Sequence, residues 1–297
     1  MLAVILALAA ALGFGSTAIF ARVGMQGIRP LPSTVISTLI SFVPTMLLAL
    51  AFAWSDIRDL PPIAYLWLLC LGALSFLGGR AQNFAAINLL GASRSSPFVG
   101  TSVVFGVIFA VTITGERPHL LVILGTVGVI AGLVVAIGNL TGQRWLHDRR
   151  SLLGYALAMG AGASYGGSNV LTKVLISAYG SALMISAFGL MFGVLLLLPL
   201  AGGGAVQDLK ASGRSRGFLG HVVLAGLASA FAIIAFGYSL QRSDVVIVSP
   251  IVSINPLITL LLAQVFLPGL ERVTKQVVAG TLLTVAGVVL VIAGSTM

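Results

Sequence analysis

Charge is what this sequence has least of. Only 8% of its 297 residues are Asp, Glu, Lys or Arg, against about 25% in a soluble domain whose surface must face water. Cysteine is nearly absent: Cys70 stands alone, which excludes a disulfide framework. The three histidines, His119, His147 and His221, are dispersed, so no Cys/His metal cluster is expected. No Walker-type or dinucleotide glycine motif occurs, and Gly202-Gly203-Gly204 reads as loop punctuation. With no His/Asp/Glu cluster, neither catalysis nor a bound cofactor or metal is expected.

What the sequence does have is apolar. Hydrophobic residues make up 58% of it, and its mean hydropathy is +1.12. No soluble architecture of this length hides so much apolar side chain, so the solvent is lipid. The 36 glycines suit close helix packing in a bilayer. The net charge of +9 does not point to nucleic acid, because the basic residues stand singly or in small groups between apolar segments. That is the pattern of topology signals and of contacts with lipid headgroups. The opening run from Met1 to Phe14 resembles a signal-peptide core. It lacks a basic leader and stays apolar to Ala21, so it is read as a retained helix.

Ten stretches are long enough to cross about 30 Å of hydrocarbon. They lie near 2–21, 34–54, 63–89, 94–114, 119–138, 152–176, 181–200, 218–239, 245–267 and 275–294. Trp54 and Trp145 sit at or beside their ends, as interfacial aromatics do, and Trp67 lies in the first turns of its span. The two halves also align with each other. Ser96-Pro97 recurs as Ser249-Pro250, 153 residues on. At an offset of 155, Glu116 recurs as Glu271, Gly125-Thr126 as Gly280-Thr281, and Ala131-Gly132 as Ala286-Gly287. At 151, Gly15 recurs as Gly166 and Arg22 as Lys173. An ordered series of matches is an internal repeat. The expected fold is therefore all-α, with ten transmembrane helices as two five-helix repeats, residues 1–145 and 146–297. Five is odd, so the second copy must be inverted, an arrangement that lets two bundles expose a midplane site alternately.

These features resemble the EamA-type branch of the drug/metabolite transporter superfamily. The resemblance rests on a basic residue closing the first helix of each half (Arg22, Lys173) and a Ser-Pro opening the fourth. Gly115-Glu116 and Leu270-Glu271 end that fourth helix, and a Gly-rich fifth follows. It covers nearly the whole chain and implies a central cavity lined by the first, third and fourth helices of each half. The family includes exporters of amino acids, metabolites, sugars and drugs.

Polar residues inside the spans are the candidate site. Arg80 lies about two-thirds along the third stretch, where an arginine costs about 2.5–3.5 kcal/mol on insertion scales. Asn83 shares its face, and Asn88 lies within about a quarter-turn at α-helical spacing. Ser75 and Gln82 fall on a second face, away from Arg80. Two readings of Arg80 stand: a clamp for a substrate anion, supported by Asn83, or an arginine that snorkels or pairs with carbonyls of a neighbouring helix end. Tyr165, Ser168, Asn169 and Thr172, at spacings of three and four, either line a cavity wall or serve as packing glue. Ser16 and Thr17 offer less on the first helix. Ser253 and Asn255 lie between Pro250 and Pro256, where missing amides free backbone carbonyls, either for substrate or in a simple kink. Gln241 falls opposite Asn88 in the repeat, with Tyr238 one turn earlier; the pair are ligands or interfacial anchors.

The acidic residues, Asp56, Asp59, Glu116, Asp148, Asp208, Asp244 and Glu271, fall in loops or at helix ends. No carboxylate is expected at mid-membrane to relay a proton or hold sodium. The expected protein is a multi-pass transporter of the plasma membrane, a bacterial inner membrane. It would be an exporter or exchanger of small anionic or zwitterionic metabolites such as amino acids, working as a monomer or homodimer. The alternatives are an exporter of cationic or neutral drug-like compounds and a non-transporting scaffold. Orientation is contested: odd-numbered loops carry eleven Lys and Arg against four in even loops and termini, which places the termini outside. The resemblance implies termini in the cytoplasm.

Overall fold

Lipid offers no partner to a bare peptide group, so each apolar stretch must satisfy its own backbone, and a helix does this locally. The structure, a computed structural model, describes residues 1–137, 149–210, 216–266 and 275–294, and among these the chain is helix and turn with no strand. The ten apolar stretches read from the sequence are largely helical where described, the fourth and ninth being interrupted at residues 100–101 and 253–254. Trp145, Glu271 and the junction between residues 145 and 146 lie outside the described residues.

The first half opens with α1 (Leu2–Gly24) and α2 (Pro30–Phe52), then a short α3 (Trp54–Arg58). Pro30 begins α2 at a position whose amide needs no helical partner. Next, α4 (Pro62–Gly72) runs through a π-helical segment (Ala73–Ala81) into α5 (Gln82–Leu90) as one rod. Gly91 turns the chain back within one residue at φ 91°, a conformation open to glycine. Then come α6 (Ala92–Val99), α7 (Ser102–Phe109) with a π-helical end (Ala110–Thr114), and α8 (Leu120–Ile137). The second half holds α9 (Arg149–Tyr179), α10 (Ala182–Lys210), α11 (Arg216–Arg242), α12 (Val245–Val252), α13 (Asn255–Phe266) and α14 (Lys275–Gly294). Six helical segments, Leu2–Gly24, Pro30–Phe52, Pro62–Leu90, Ala182–Ala201, Gly217–Arg242 and Val245–Val265, are long and apolar enough to cross a membrane. The side-chain distribution is that of a lipid-immersed protein. Leu47, Phe52, Ile113 and Val127 are exposed, while Ser33, Thr34, Ser37, Thr38, Ser41 and Thr45 of α2 are fully buried.

Packing repeats with the halves exchanged. α1 lies along α11 and the α12–α13 helix; its counterpart α9 lies along the α4–α5 rod and the α6–α7 helix. Glycines at matched positions make these contacts close. A Cβ on Gly15 would strike Ile258 at 2.8 Å and the Asn255 carbonyl at 3.1 Å. One on Gly166 would strike Phe105 at 2.6 Å and the Ser102 carbonyl at 3.0 Å. In the same way α8 and α14 cross with Gly125 against Gly287 and Gly132 against Gly280 and Thr284. Two bundles result, each built from the first helix of one half and the third and fourth of the other. The first comprises α1, α11, α12 and α13; the second comprises α9, α4, α5, α6 and α7. Paired with each other, α2 and α10 flank both.

Candidate functional site

Between the two bundles lies a cavity of about 170 Å³, large enough for several waters or a small solute. Its walls differ in chemistry. The α9 bundle contributes Ser75, Arg80, Asn83, Ser102, Tyr165, Ser168, Asn169 and Thr172. The α1 bundle contributes Phe14, Ala18, Ile233, Phe236 and Val252, with Thr17, Ser229 and Asn255 as its polar members. Phe14 and Phe236 meet edge to face at 6.2 Å. Phe76 and Phe84 join the lining from the α4–α5 rod, and Ile185, Ser186 and Gly189 from α10. Polar groups thus concentrate on the α9-bundle wall, while aromatic rings line both, Phe76, Phe84 and Tyr165 on that wall and Phe14 and Phe236 on the other.

Arg80 is the charged residue among the described lining, and it is 4% exposed. It neither snorkels nor reaches carbonyls at a helix end. Its Nη1 faces the hydroxyls of Thr38 and Ser41 on α2, each at 3.5 Å. Those hydroxyls already donate to their own helix, Thr38 to Thr34 O and Ser41 to Ser37 O, so a lone pair on each is left to accept. The guanidinium carbon stands 5.6 Å from the centre of the Phe84 ring, a cation–π distance. Nη2 has no hydrogen-bond partner among the described residues. Tyr165 lines the same wall, its ring lying against Gly79. No carboxylate of the described residues lines the cavity, so the charge is held by neutral dipoles. That leaves it available to an anion.

The π-helical segment corrects one expectation. At α-helical spacing, Ser75 and Gln82 fall together on a face away from Arg80. Bonding at i→i+5 widens the turn and brings Ser75 onto the cavity with Arg80, five residues on. Gln82 instead abuts Gly160 of α9, where a side chain would collide with its amide oxygen. Glycine makes this wall possible too, since a Cβ on Gly79 would run into the Tyr165 ring.

The fourth helix of each half breaks at the cavity, and at equivalent places. α6 ends at Val99 and α7 begins at Ser102; α12 ends at Val252 and α13 begins at Asn255. All four line the cavity, Val99 matching Val252 and Ser102 matching Asn255 at the Ser-Pro offset. Pro256 lacks the amide that would reach the Val252 carbonyl, which explains the second break. Beside it, Asn169 Nδ2 donates to Ser249 Oγ at 3.4 Å.

Of the residues singled out in the sequence, Arg80, Asn83, Tyr165, Ser168, Asn169 and Asn255 converge on the cavity, with Thr17 and Thr172. Four do not. Asn88 lies at the end of α5, where its carbonyl, not its amide, accepts from Arg22 at 3.4 Å. Gln241 is exposed and donates to the Gly180 carbonyl at 2.9 Å, bracing the α9–α10 turn. Tyr238 packs into the apolar core and lies 5.4 Å from the Arg242 guanidinium. Ser253 is 3% exposed and turns its hydroxyl back to the Pro250 carbonyl at 2.6 Å. Sequence reasoning missed Ser186, Ser229 and the Thr38–Ser41 shelf, since single hydroxyls on apolar helices carry no signal of direction.

Glu116 has a structural task that its position past the fourth helix did not reveal. Its carboxylate accepts from the Val245 and Val246 amides at 3.2 and 3.0 Å. It thereby caps α12, whose own N-cap residue Asp244 makes no side-chain cap bond.

Comparison with known proteins agrees with this architecture. No curated protein matches the chain. Among solved structures, a protein crystal structure matches with a TM-score of 0.76 at 18% sequence identity, covering 99% of this chain and 97% of that one. That likeness concerns the fold. The profile described as the EamA-like transporter family matches twice, at residues 1–138 and 152–293, one match per repeat. A multi-pass helical protein doubled in this way is a membrane transporter of the drug/metabolite type. The chain belongs to the EamA-like transporter family.

Proposed function

We propose that the chain is a ten-span carrier of the plasma membrane whose two inverted five-helix repeats expose the central cavity alternately to either face. Its substrate is a small anionic or zwitterionic metabolite, an amino acid being the type example, moved by export or exchange. One observation carries the substrate class: a buried arginine on the cavity wall, with no carboxylate beside it and no partner for Nη2 among the described residues. An anion there gains a charge-assisted contact where dielectric screening is weak. A cation would meet like charge in the same medium. The aromatic rings around the cavity, Phe14, Phe76, Phe84 and Phe236, suit the uncharged part of such a molecule.

The test is a thermal-shift screen of anionic, zwitterionic and cationic metabolites on purified wild type and Arg80→Gln. A ligand held by the folded state raises its melting temperature by mass action. Carboxylate-bearing compounds are expected to stabilise the wild type, and the variant to lose that response. A hydrogen bond to a charged group contributes about 1.5–3 kcal/mol, so affinity should fall by roughly ten- to a hundredfold. If cationic or neutral aromatic compounds stabilise both proteins equally, Arg80 is structural and the carrier handles drug-like compounds.

A further inference from the structure

At each end of the cavity, a basic side chain from one bundle grips helix-terminal carbonyls of the other. At one end, Arg22 of α1 donates through Nη1 to the Ile87 and Asn88 carbonyls of α5, at 3.2 and 3.4 Å. At the opposite end, Lys173 of α9 donates to the Leu240 carbonyl of α11 at 2.9 Å and to the Ser243 carbonyl at 2.8 Å. These are the same contact twice. Arg22 and Lys173 are equivalent in the repeat, and Ile87 and Leu240 are equivalent at the Ser-Pro offset. Each cation meets the carbonyl end of a helix, where unsatisfied acceptors and the helix dipole favour positive charge.

The two contacts lie at opposite ends because α1 and α9 run in opposite directions. Gly78 and Gly79 face Ser164 and Tyr165, while Gly154 faces Leu90, so α9 descends as the α4–α5 rod ascends. Arg22, near the end of α1, sits where that rod finishes. Both ties cross from the α1 bundle to the α9 bundle, the two bodies that flank the cavity. Any motion that separates the bundles at one end must break the tie there and can keep the other.

We infer that Arg22 and Lys173 are a matched pair of gate latches, one for each mouth of the cavity, in the alternating-access cycle proposed above, on which this inference rests. The Lys173 end carries further cross-bundle bonds. Lys173 lies 3.6 Å from Asp244, and the Glu116 carboxylate from the α7 side holds the start of α12. Latches of this kind set which mouth opens without touching the substrate.

The test uses the whole chain with Cys70→Ser and a reporter, Ser229→Cys, on the cavity wall. A membrane-impermeant thiol reagent is applied to right-side-out and to inside-out vesicles, and the ratio of labelling rates from the two faces is read. Lys173→Met is expected to speed labelling from the face at which Lys173 lies and to slow it from the other. Arg22→Met is expected to do the reverse. Each shift should be about tenfold, the scale of one lost charge-assisted hydrogen bond. Arg22→Lys and Lys173→Arg should restore the wild-type ratio. A variant that fails to fold is replaced by the corresponding Gln, which keeps a shorter donor. If both faces reach the reporter and the two variants shift the ratio in the same direction, or not at all, the latches are refuted while alternating access stands. If only one face ever reaches it, in the wild type and in every variant, alternating access fails and the latches with it.

Discussion

A buried arginine held by hydroxyls is an expensive residue to keep, and its cost makes its role measurable. Desolvating a cation costs several kcal/mol even after the protein relaxes, and two hydroxyls at 3.5 Å return only part of that. If Arg80 serves a ligand, removing it should leave the empty protein as stable as before, or more so. Arg80→Gln without ligand is therefore expected to melt at or above the wild-type temperature while losing its ligand response. A clear fall in melting temperature would instead mark a structural residue. The shelf beneath it gives a second expectation. Thr38→Val together with Ser41→Ala removes the acceptors on Nη1, so the guanidinium loses its fixed direction. Leaving a buried polar group without a partner costs about 1–3 kcal/mol, and anion affinity should weaken alongside stability. Titration calorimetry beside a melting curve would show whether both move. Unchanged affinity would mean that Arg80 is oriented by something other than α2.

At the scale of elements, the sequence was legible wherever a pattern had length. The described parts of the apolar stretches are largely helical, and the repeat offsets reappear as physical contacts, Gly15 against α13 and Gly166 against the start of α7. What escaped was local and geometric. The π-helical turn carrying Arg80 moved Ser75 onto the cavity because side-chain direction was inferred from a 3.6-residue period that this segment does not keep. Asn88 and Gln241 were paired by their amides, whereas the shared feature at that level is the backbone carbonyl that grips a cation. Main-chain acceptors are invisible to a reading of side-chain types. The matched glycines yield a prediction of their own. Gly166→Ala puts a methyl group against the backbone nitrogen of Gly106 at 2.8 Å, and overpacking of this kind typically costs about 1–3 kcal/mol. Gly220→Ala in α11 has nothing within 4 Å, and alanine is the better helix former. Melting in detergent should fall for the first and hold or rise for the second. Equal behaviour would show that the α9 contact has room to relax.

At the scale of the molecule, charge placement constrains how transport is driven. The chain is a membrane transporter by family, and the described lining of its cavity holds a cation and no carboxylate. Of the acidic side chains described, Glu116 caps α12, Asp244 faces Lys173 at 58% exposure, and Asp56 and Asp59 lie in or just after the short α3. A proton or sodium ion carried with the substrate needs an intramembrane group that binds it and releases it on the far side, ordinarily a carboxylate or histidine. No described residue of the cavity wall offers that, and substrate gradients are expected to drive flux. In proteoliposomes loaded with a transported metabolite, efflux is expected to run to equilibrium and to quicken when substrate is supplied on the opposite face. An imposed pH gradient should not produce accumulation beyond that point. Sustained accumulation driven by the pH gradient alone would overturn the expectation. Its loss in Glu116→Gln would then identify the carboxylate that holds the start of α12 as the coupling group.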